Sequence, residues 1–198
     1  MLTCPIFKME FNEAYYWLIQ SERRQNILVD FNQPLTATHI SRRTNIPLDA
    51  CLHLLWGLNI YNILYCLNKN TRHNRLYWLT ELGKVCQRRL REKLGLKPLT
   101  HNFPNVPWEL FSSVCFSHRS VVIKAIHEPM QAAAIKRKAL SQNPELRMSA
   151  TNVRDIIRWL LKKNLVRKLK IKRKSHPRFE LTELGKEFKG LLVNVSVV

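Results

Sequence analysis

The hexapeptide Leu79-Thr-Glu-Leu-Gly-Lys84 recurs residue for residue as Leu181-Thr-Glu-Leu-Gly-Lys186, 102 positions further on. The same separation carries Leu54-Leu55 onto Ile156-Ile157, Leu58 onto Leu160, and Asn62-Ile63-Leu64 onto Asn164-Leu165-Val166. Earlier in each copy the separation is 95. There Ile27-Leu28 falls on Val122-Ile123, Pro34-Leu35-Thr36-Ala37 on Pro129-Met130-Gln131-Ala132, and Ile40-Ser41-Arg42-Arg43 on Ile135-Lys136-Arg137-Lys138. The difference of 7 residues places an insertion in the second copy around 141–147, where a loop can absorb it. Two long copies do not make a solenoid, which stacks three or more short repeats. They predict two homologous small domains, over 1–96 and 108–198, joined by a linker at 97–107. The stretch from Gly95 to Pro107 holds one glycine and three prolines, which interrupt helix.

Within the first copy the periodicity changes in a fixed order. An aromatic-rich helix is expected from Asn12, a suitable N-cap, to about Gln20, and a second from Glu22 to Phe31. Thr36 is placed to cap a short helix ending at Thr44, and Asn45-Ile46-Pro47 reads as a turn. A longer helix follows from Leu48, with Leu48, Leu52, Leu55 and Leu58 spaced to share an apolar face. Two β-like runs, Ile63–Leu67 and Leu76–Leu79, flank a polar tip at 68–74, and Thr80 can cap a final helix to about Leu94. Leu82, Val85, Cys86, Leu90 and Leu94 give that helix an apolar side, which leaves Arg88, Arg89, Arg91 and Lys93 on a solvated face. The fold class is therefore mainly α with small β-ribbons (α+β).

Helix, short helix, turn, helix and two-stranded ribbon is the order of a helix-turn-helix followed by a β-wing. Pro34-Leu-Thr-Ala-Thr-His-Ile-Ser-Arg-Arg-Thr-Asn-Ile46 resembles the second helix and turn of winged helix-turn-helix repressors. Tyr77-Trp-Leu-Thr-Glu-Leu-Gly-Lys84 resembles the segment where their second wing strand enters the next helix. The likeness is to repressors of the multiple-antibiotic-resistance and arsenical-resistance type. It covers about 21–94 and, more loosely, 119–192. It implies two tandem winged-helix domains, each with its third core helix placed for the major groove and its wing for the phosphate backbone.

The charge agrees with a polyanionic partner. The chain carries 33 Lys and Arg against 14 Asp and Glu, a net +19, while 45% hydrophobic residues mark a globular composition. The excess is uneven, with 14 basic against 7 acidic residues in 1–100 and 19 against 7 in 101–198. In the second copy the reading helix is expected over 149–163, with Ser149 as its cap. Val153, Ile156, Ile157, Leu160 and Leu161 form its core face, and Thr151, Asn152, Arg154, Asp155, Arg158 and Lys162 lie outside. Arg and Asn suit purine edges in the major groove. Nine Lys and Arg then fall between Lys162 and Arg178 inclusive. The alternation there puts Leu169 and Ile171 on one side of a strand and Lys168, Lys170 and Lys172 on the other. Lys172, Arg173, Lys174 and His176 fall at the wing tip, and Arg178 belongs to the same wing. Lysines also protect exposed strand edges, but that role needs fewer of them.

The first copy offers less. Its reading helix carries Asp49, Ala50, Cys51, His53 and Leu54 and no Lys or Arg, a surface suited to protein rather than DNA. Its weaker basic contribution comes from Arg42 and Arg43, then Lys69, Arg72 and Arg75 on the wing, with His73 among them. The aromatic segments Tyr15-Tyr16-Trp17 and Trp108-Glu-Leu-Phe111 suit core packing or a homodimer or protein contact better than base stacking.

The expected function is a sequence-specific double-stranded DNA-binding protein, a transcription regulator. A replication or mobile-element accessory protein, or a structural subunit of a nucleoprotein complex, fits the same features. Five glycines cannot build a phosphate-binding loop, and no nucleophile-elbow or zincin motif occurs, so no enzyme and no cofactor are expected. Five widely spaced cysteines without Cys-x-x-Cys argue against a disulfide scaffold or a metal site, the Cys51/His53 pair included. With no secretory pattern and no apolar run near bilayer length, the expectation is a cytoplasmic, nucleoid-associated chain without a membrane partner.

Overall fold

A computed structural model describes residues 10–101, 103–169 and 176–194. Among them are ten helices and two three-stranded antiparallel sheets, in two compact units that divide between Glu109 and Leu110. The division falls inside helix α6 (Trp108–Val114).

The first unit contains α1 (Phe11–Ile19), α2 (Glu22–Val29), β1 (Leu35–Thr36), α3 (Ala37–Thr44), α4 (Leu48–Ile60), β2 (Leu64–Cys66), β3 (Leu76–Leu79) and α5 (Glu81–Lys93). The strands lie in the order β1-β3-β2, with Leu35 opposite Tyr77 and Leu64 opposite Leu79. Leu18, Leu28, Ile40, Leu55, Leu58, Leu64, Leu76 and Leu90 are buried in its core. Thr36 starts α3 as expected, its Oγ1 accepting the His39 N–H at 3.3 Å. Asn45 ends the helix in the left-handed region, at φ 54°. Asn12 is not a cap. Helix α1 already begins at Phe11, whose ring stacks on Tyr15 one turn later with centroids 5.5 Å apart.

The second unit repeats this order with α7 (Ser117–Ala125), β4 (Met130–Gln131), α8 (Ala132–Gln142), α9 (Ala150–Lys162), β5 (Val166–Leu169), β6 (Arg178–Leu181) and α10 (Glu183–Asn194). Its sheet order, β4-β6-β5, matches the first. Helices α4 and α9 are each 13 residues long and stand 102 apart at both ends.

The repeated hexapeptide builds the same junction twice. Thr80 and Thr182 each precede a helix and accept an N–H from the glycine three residues on, at 2.9 Å (Gly83) and 3.1 Å (Gly185). Their own N–H groups donate to the Ile63 and Leu165 carbonyls at 3.0 and 3.1 Å. Their hydroxyls donate to the carbonyls of Asn62 and Asn164, which hold φ of 51° and 54°. A Cβ on Gly83 would stand 2.0 Å from the Ile63 carbonyl oxygen, and one on Gly185 the same distance from that of Leu165.

Four expectations change. Leu48 and Leu52 are exposed, and the buried face of α4 is Cys51, Leu55 and Leu58. This is because α2, α3 and β2 pack on that side. On α5, Val85 and Leu94 are exposed, whereas Arg91 is buried. The Arg91 guanidinium donates to the Val29 and Lys97 carbonyls, both at 2.7 Å, and to Asp30 Oδ1 at 3.0 Å. It ties chain segments together instead of facing solvent. Leu169 and Lys168 lie on opposite sides of β5 as the alternation requires, Leu169 half-buried and Lys168 exposed, but the side that faces the core is not that of Leu169. The register sets Val166 against Leu181 and Lys168 against Phe179, so Leu169 lies on the other face, opposite Arg178. Finally, the 97–107 segment packs on the first unit. His101 Nε2 donates to Gln87 Oε1 at 2.7 Å, and the Phe103 ring lies 5.4 Å from that of Trp78. Gln87 is itself buried and donates to the Leu28 and Phe31 carbonyls.

The junction geometry predicts opposite effects for two glycine substitutions. Gly83→Ala forces a methyl into a backbone carbonyl and lowers stability by at least about 2 kcal/mol in urea denaturation. Gly190→Ala, in α10 with nothing within 4 Å of the added Cβ, raises stability by about 0.5–1 kcal/mol.

Candidate nucleic-acid interface

Helix α9 is anchored at its start and along one face. Ser149 Oγ accepts the Asn152 N–H at 3.0 Å, and Val153, Ile156, Ile157 and Leu160 are buried. Leu161, expected on that face, is only half-buried. The opposite side presents Thr151, Arg154, Asp155, Arg158 and Lys162 to solvent, with Asn152 half-buried near the cap. Arg154, Arg158 and Lys162 are spaced at four residues and so lie in one row. Two such steps rise roughly 12 Å along a helix, about the width of the major groove of B-DNA. Arg158 Nη1 donates to Asp155 Oδ1 at 2.6 Å, but both side chains are solvent-exposed. Such a surface pair is worth about 0–1 kcal/mol, so Arg158 can be redirected to another acceptor at little cost.

Beside the row stands the ribbon. Lys168, His176 and Arg178 are exposed on it. Lys170, Lys172, Arg173 and Lys174 lie outside the described residues. Arg167 is engaged across the ribbon with Glu180, directly opposite it in the register.

A cleft of about 740 Å³ opens between α8, α9 and β6. Ile157, Leu140 and Phe179 line its apolar part, and Lys136, Arg137, Arg154, Arg158 and His176 its basic part. Lys136 and Arg137 are additions to the basic residues expected from the sequence to bind. Their signal in the sequence is the basic run within Ile135-Lys-Arg-Lys138, a segment that also belongs to the repeat. Arg119 has a structural role: it stacks 4.1 Å over Trp159 and donates to the Ser113 carbonyl at 2.9 Å. Burial lowers its pKa, yet a guanidinium stays charged.

In the first unit the basic residues gather differently. Arg42 is exposed and Arg43 half-buried on α3, while Lys69, Arg72, His73 and Arg75 are exposed between β2 and β3. Fully buried Asn68 organises that loop. Its Nδ2 donates to Thr71 Oγ1 at 2.7 Å and to the Asn74 carbonyl at 3.2 Å, and its Oδ1 accepts the Leu76 N–H at 2.7 Å. Arg75 Nε donates to the Thr71 carbonyl at 3.3 Å. No Lys or Arg stands on α4. Its outward row is Leu48, Leu52, Trp56 and Ile60, all exposed, and Cys51 points inward away from exposed His53.

The aromatic segments are mostly structural. Trp17 stacks on Tyr61 with centroids 4.0 Å apart and carries the Arg24 guanidinium 3.8 Å from its ring, while Tyr16 is 65% exposed. Phe111 is buried against Phe188. Burial pushes the Cys51 and Cys86 thiols up to about 11 and that of Cys115 to about 12, so they are protonated and unreactive near neutral pH. Among the described residues no three His, Cys, Asp or Glu side chains gather as metal ligands, and no helix is long and apolar enough to cross a membrane. Comparison with known proteins finds no matching family model, no matching curated protein and no matching solved structure.

Removing the buried amide in Asn68→Ala strands the Leu76 N–H. The expected cost is about 1–3 kcal/mol in urea denaturation, with faster hydrogen exchange at the Leu76 amide.

Proposed function

We propose that the chain is a tandem winged-helix protein that binds double-stranded DNA sequence-specifically as a transcription regulator. One observation carries this reading. Arg154, Arg158 and Lys162 form an exposed basic row on a helix whose opposite face is locked in the core, so their positions are set before any ligand arrives. The repeated order of helices and sheet supports two winged-helix units. In this reading α9 enters the major groove, and the neighbouring ribbon, through Lys168 and Arg178, neutralises phosphates together with the basic residues of 170–174. Lys136 and Arg137 add to the same positive field. The role is binding and not catalysis, and the second unit grips DNA more strongly than the first.

The two sets of basic residues predict different losses. In Arg154→Ala with Arg158→Ala, discrimination between specific and random duplexes falls by about 1–3 kcal/mol per lost base contact. In Lys172→Ala with Arg173→Ala and Lys174→Ala, all duplexes are weakened alike, and the slope of log affinity against log salt becomes shallower by roughly three. Fluorescence anisotropy titrations over a salt series read both. Unchanged binding in both variants rejects this placement of the interface.

A further inference from the structure

The two copies differ beside the long helix. Helix α3 ends at Thr44, with Asn45 as its left-handed cap, whereas α8 runs on to Gln142, into the 7-residue insertion. Leu140 therefore stands where the first copy has Asn45. On the long helices, Leu161 stands where α4 has Asn59, whose Nδ2 donates to the Leu64 carbonyl at 2.9 Å. Both leucines are half-buried, and both line the cleft between α8, α9 and β6 together with buried Ile157 and Phe179. Two polar positions of the first unit have become apolar wall in the second.

The rest of the charged lining has one sign. Lys136, Arg137, Arg154, Arg158 and His176 border the cleft, and no Asp or Glu does. Among the described residues Lys136, Arg137 and Arg154 have no acidic partner, and Arg158 has only solvent-exposed Asp155. Like charges gathered beside an apolar wall focus a positive potential there. The volume of about 740 Å³ suits a small molecule, for which sites run to about 300–1,000 Å³. Along α8 the lining extends from Ala132 to Leu140, a rise of about 12 Å.

We propose that this cleft binds a medium-chain carboxylate, its tail on Leu140, Ile157, Leu161 and Phe179 and its head on the surrounding cations. The tail removes apolar surface from water, and the head supplies the missing counter-charge. Neither half alone is enough. An inorganic anion leaves the wall uncovered, and an uncharged chain leaves the cations unpaired. A DNA phosphate can pair with the same cations but carries no tail for the wall. The site itself does not depend on whether α9 reads DNA. One consequence does rest on that reading: a carboxylate held by Arg154 and Arg158 withdraws them from a duplex, so ligand and DNA exclude each other.

Titration of sodium octanoate into the isotopically labelled full chain, followed by NMR, tests the site. Saturable shifts are expected at the amides of Ala132, Ala133, Leu140 and Leu161, with a Kd of about 0.1–1 mM. Octanol and acetate, the tail and the head alone, should each bind at least about tenfold more weakly. Leu140→Asn with Leu161→Asn, which restores the first-copy residues, should weaken octanoate at least about tenfold. Lys136→Gln, which leaves the wall intact, should weaken it about threefold. The proposal is overturned if octanoate fails to saturate by about 5 mM or if its shifts fall outside the cleft. It is equally overturned if the double variant, folded by circular dichroism, binds octanoate as tightly as wild type. Equal affinity for octanol overturns the role of the head, and equal affinity for acetate shows an adventitious ion only. Anisotropy with a labelled duplex tests the consequence. Octanoate at ten times its Kd should weaken duplex binding by about elevenfold relative to acetate at the same concentration. Unchanged duplex affinity overturns the exclusion. A wild type that binds no duplex even in acetate fails the DNA reading instead, and the octanoate titration still decides the site.

Discussion

The carbonyl of Ile63, and its counterpart on Leu165, is the point on which each unit turns. It receives the N–H of the threonine that begins the last helix, and the glycine three residues later lets that helix run against it without a clash. The preceding asparagine, in the left-handed region, turns the chain out of the long helix and into the ribbon. This one contact fixes the end of the long helix, the start of the first ribbon strand, the return of the second and the direction of the final helix. It explains why six residues are identical in the two copies when most others have diverged. A side chain at the glycine, or a cap unable to bond both ways, would separate the ribbon from the helix beside it.

Around that shared junction the two units keep their inward faces and change their outward ones. Leu55 and Leu58 on α4 correspond to Ile157 and Leu160 on α9, and all four are buried. One step around the helix, leucine, tryptophan and isoleucine replace arginine, arginine and lysine. Burial constrains the first set through packing, since interiors tolerate little change in volume. The second set makes no contribution to the core and can take on a binding role. A duplicated scaffold thus presents one apolar and one basic row from equivalent positions.

Much of the fold was legible in the sequence. The caps at Thr36, Thr80 and Ser149, the turn at Asn45 and the second ribbon strand at 76–79 all depend on residues within a few positions of one another. The basic row of α9 was legible because charged residues avoid the core. Other features were not. The leucines of α4 occur on two sides of the helix, and spacing alone could not distinguish core from surface. Arg91 looked like one more charge in a solvated run, because its partners Val29 and Asp30 lie about sixty residues away. Alternation separates Leu169 from Lys168 but does not say which side of the ribbon is covered, which Phe179 and Leu181 on the partner strand decide.

By itself the sequence determined the duplication, the element order, the capping residues and the concentration of positive charge in the second half. Each of these follows from local order, period or composition. Tertiary structure alone decided which side of α4 is buried, that Arg91 and the 97–107 segment belong to the packing of the first unit, and that Lys136 and Arg137 share a cleft with the α9 row. These depend on distant elements arriving at one place. An apolar or basic side chain has the same spacing whether its neighbour in space is solvent or another helix.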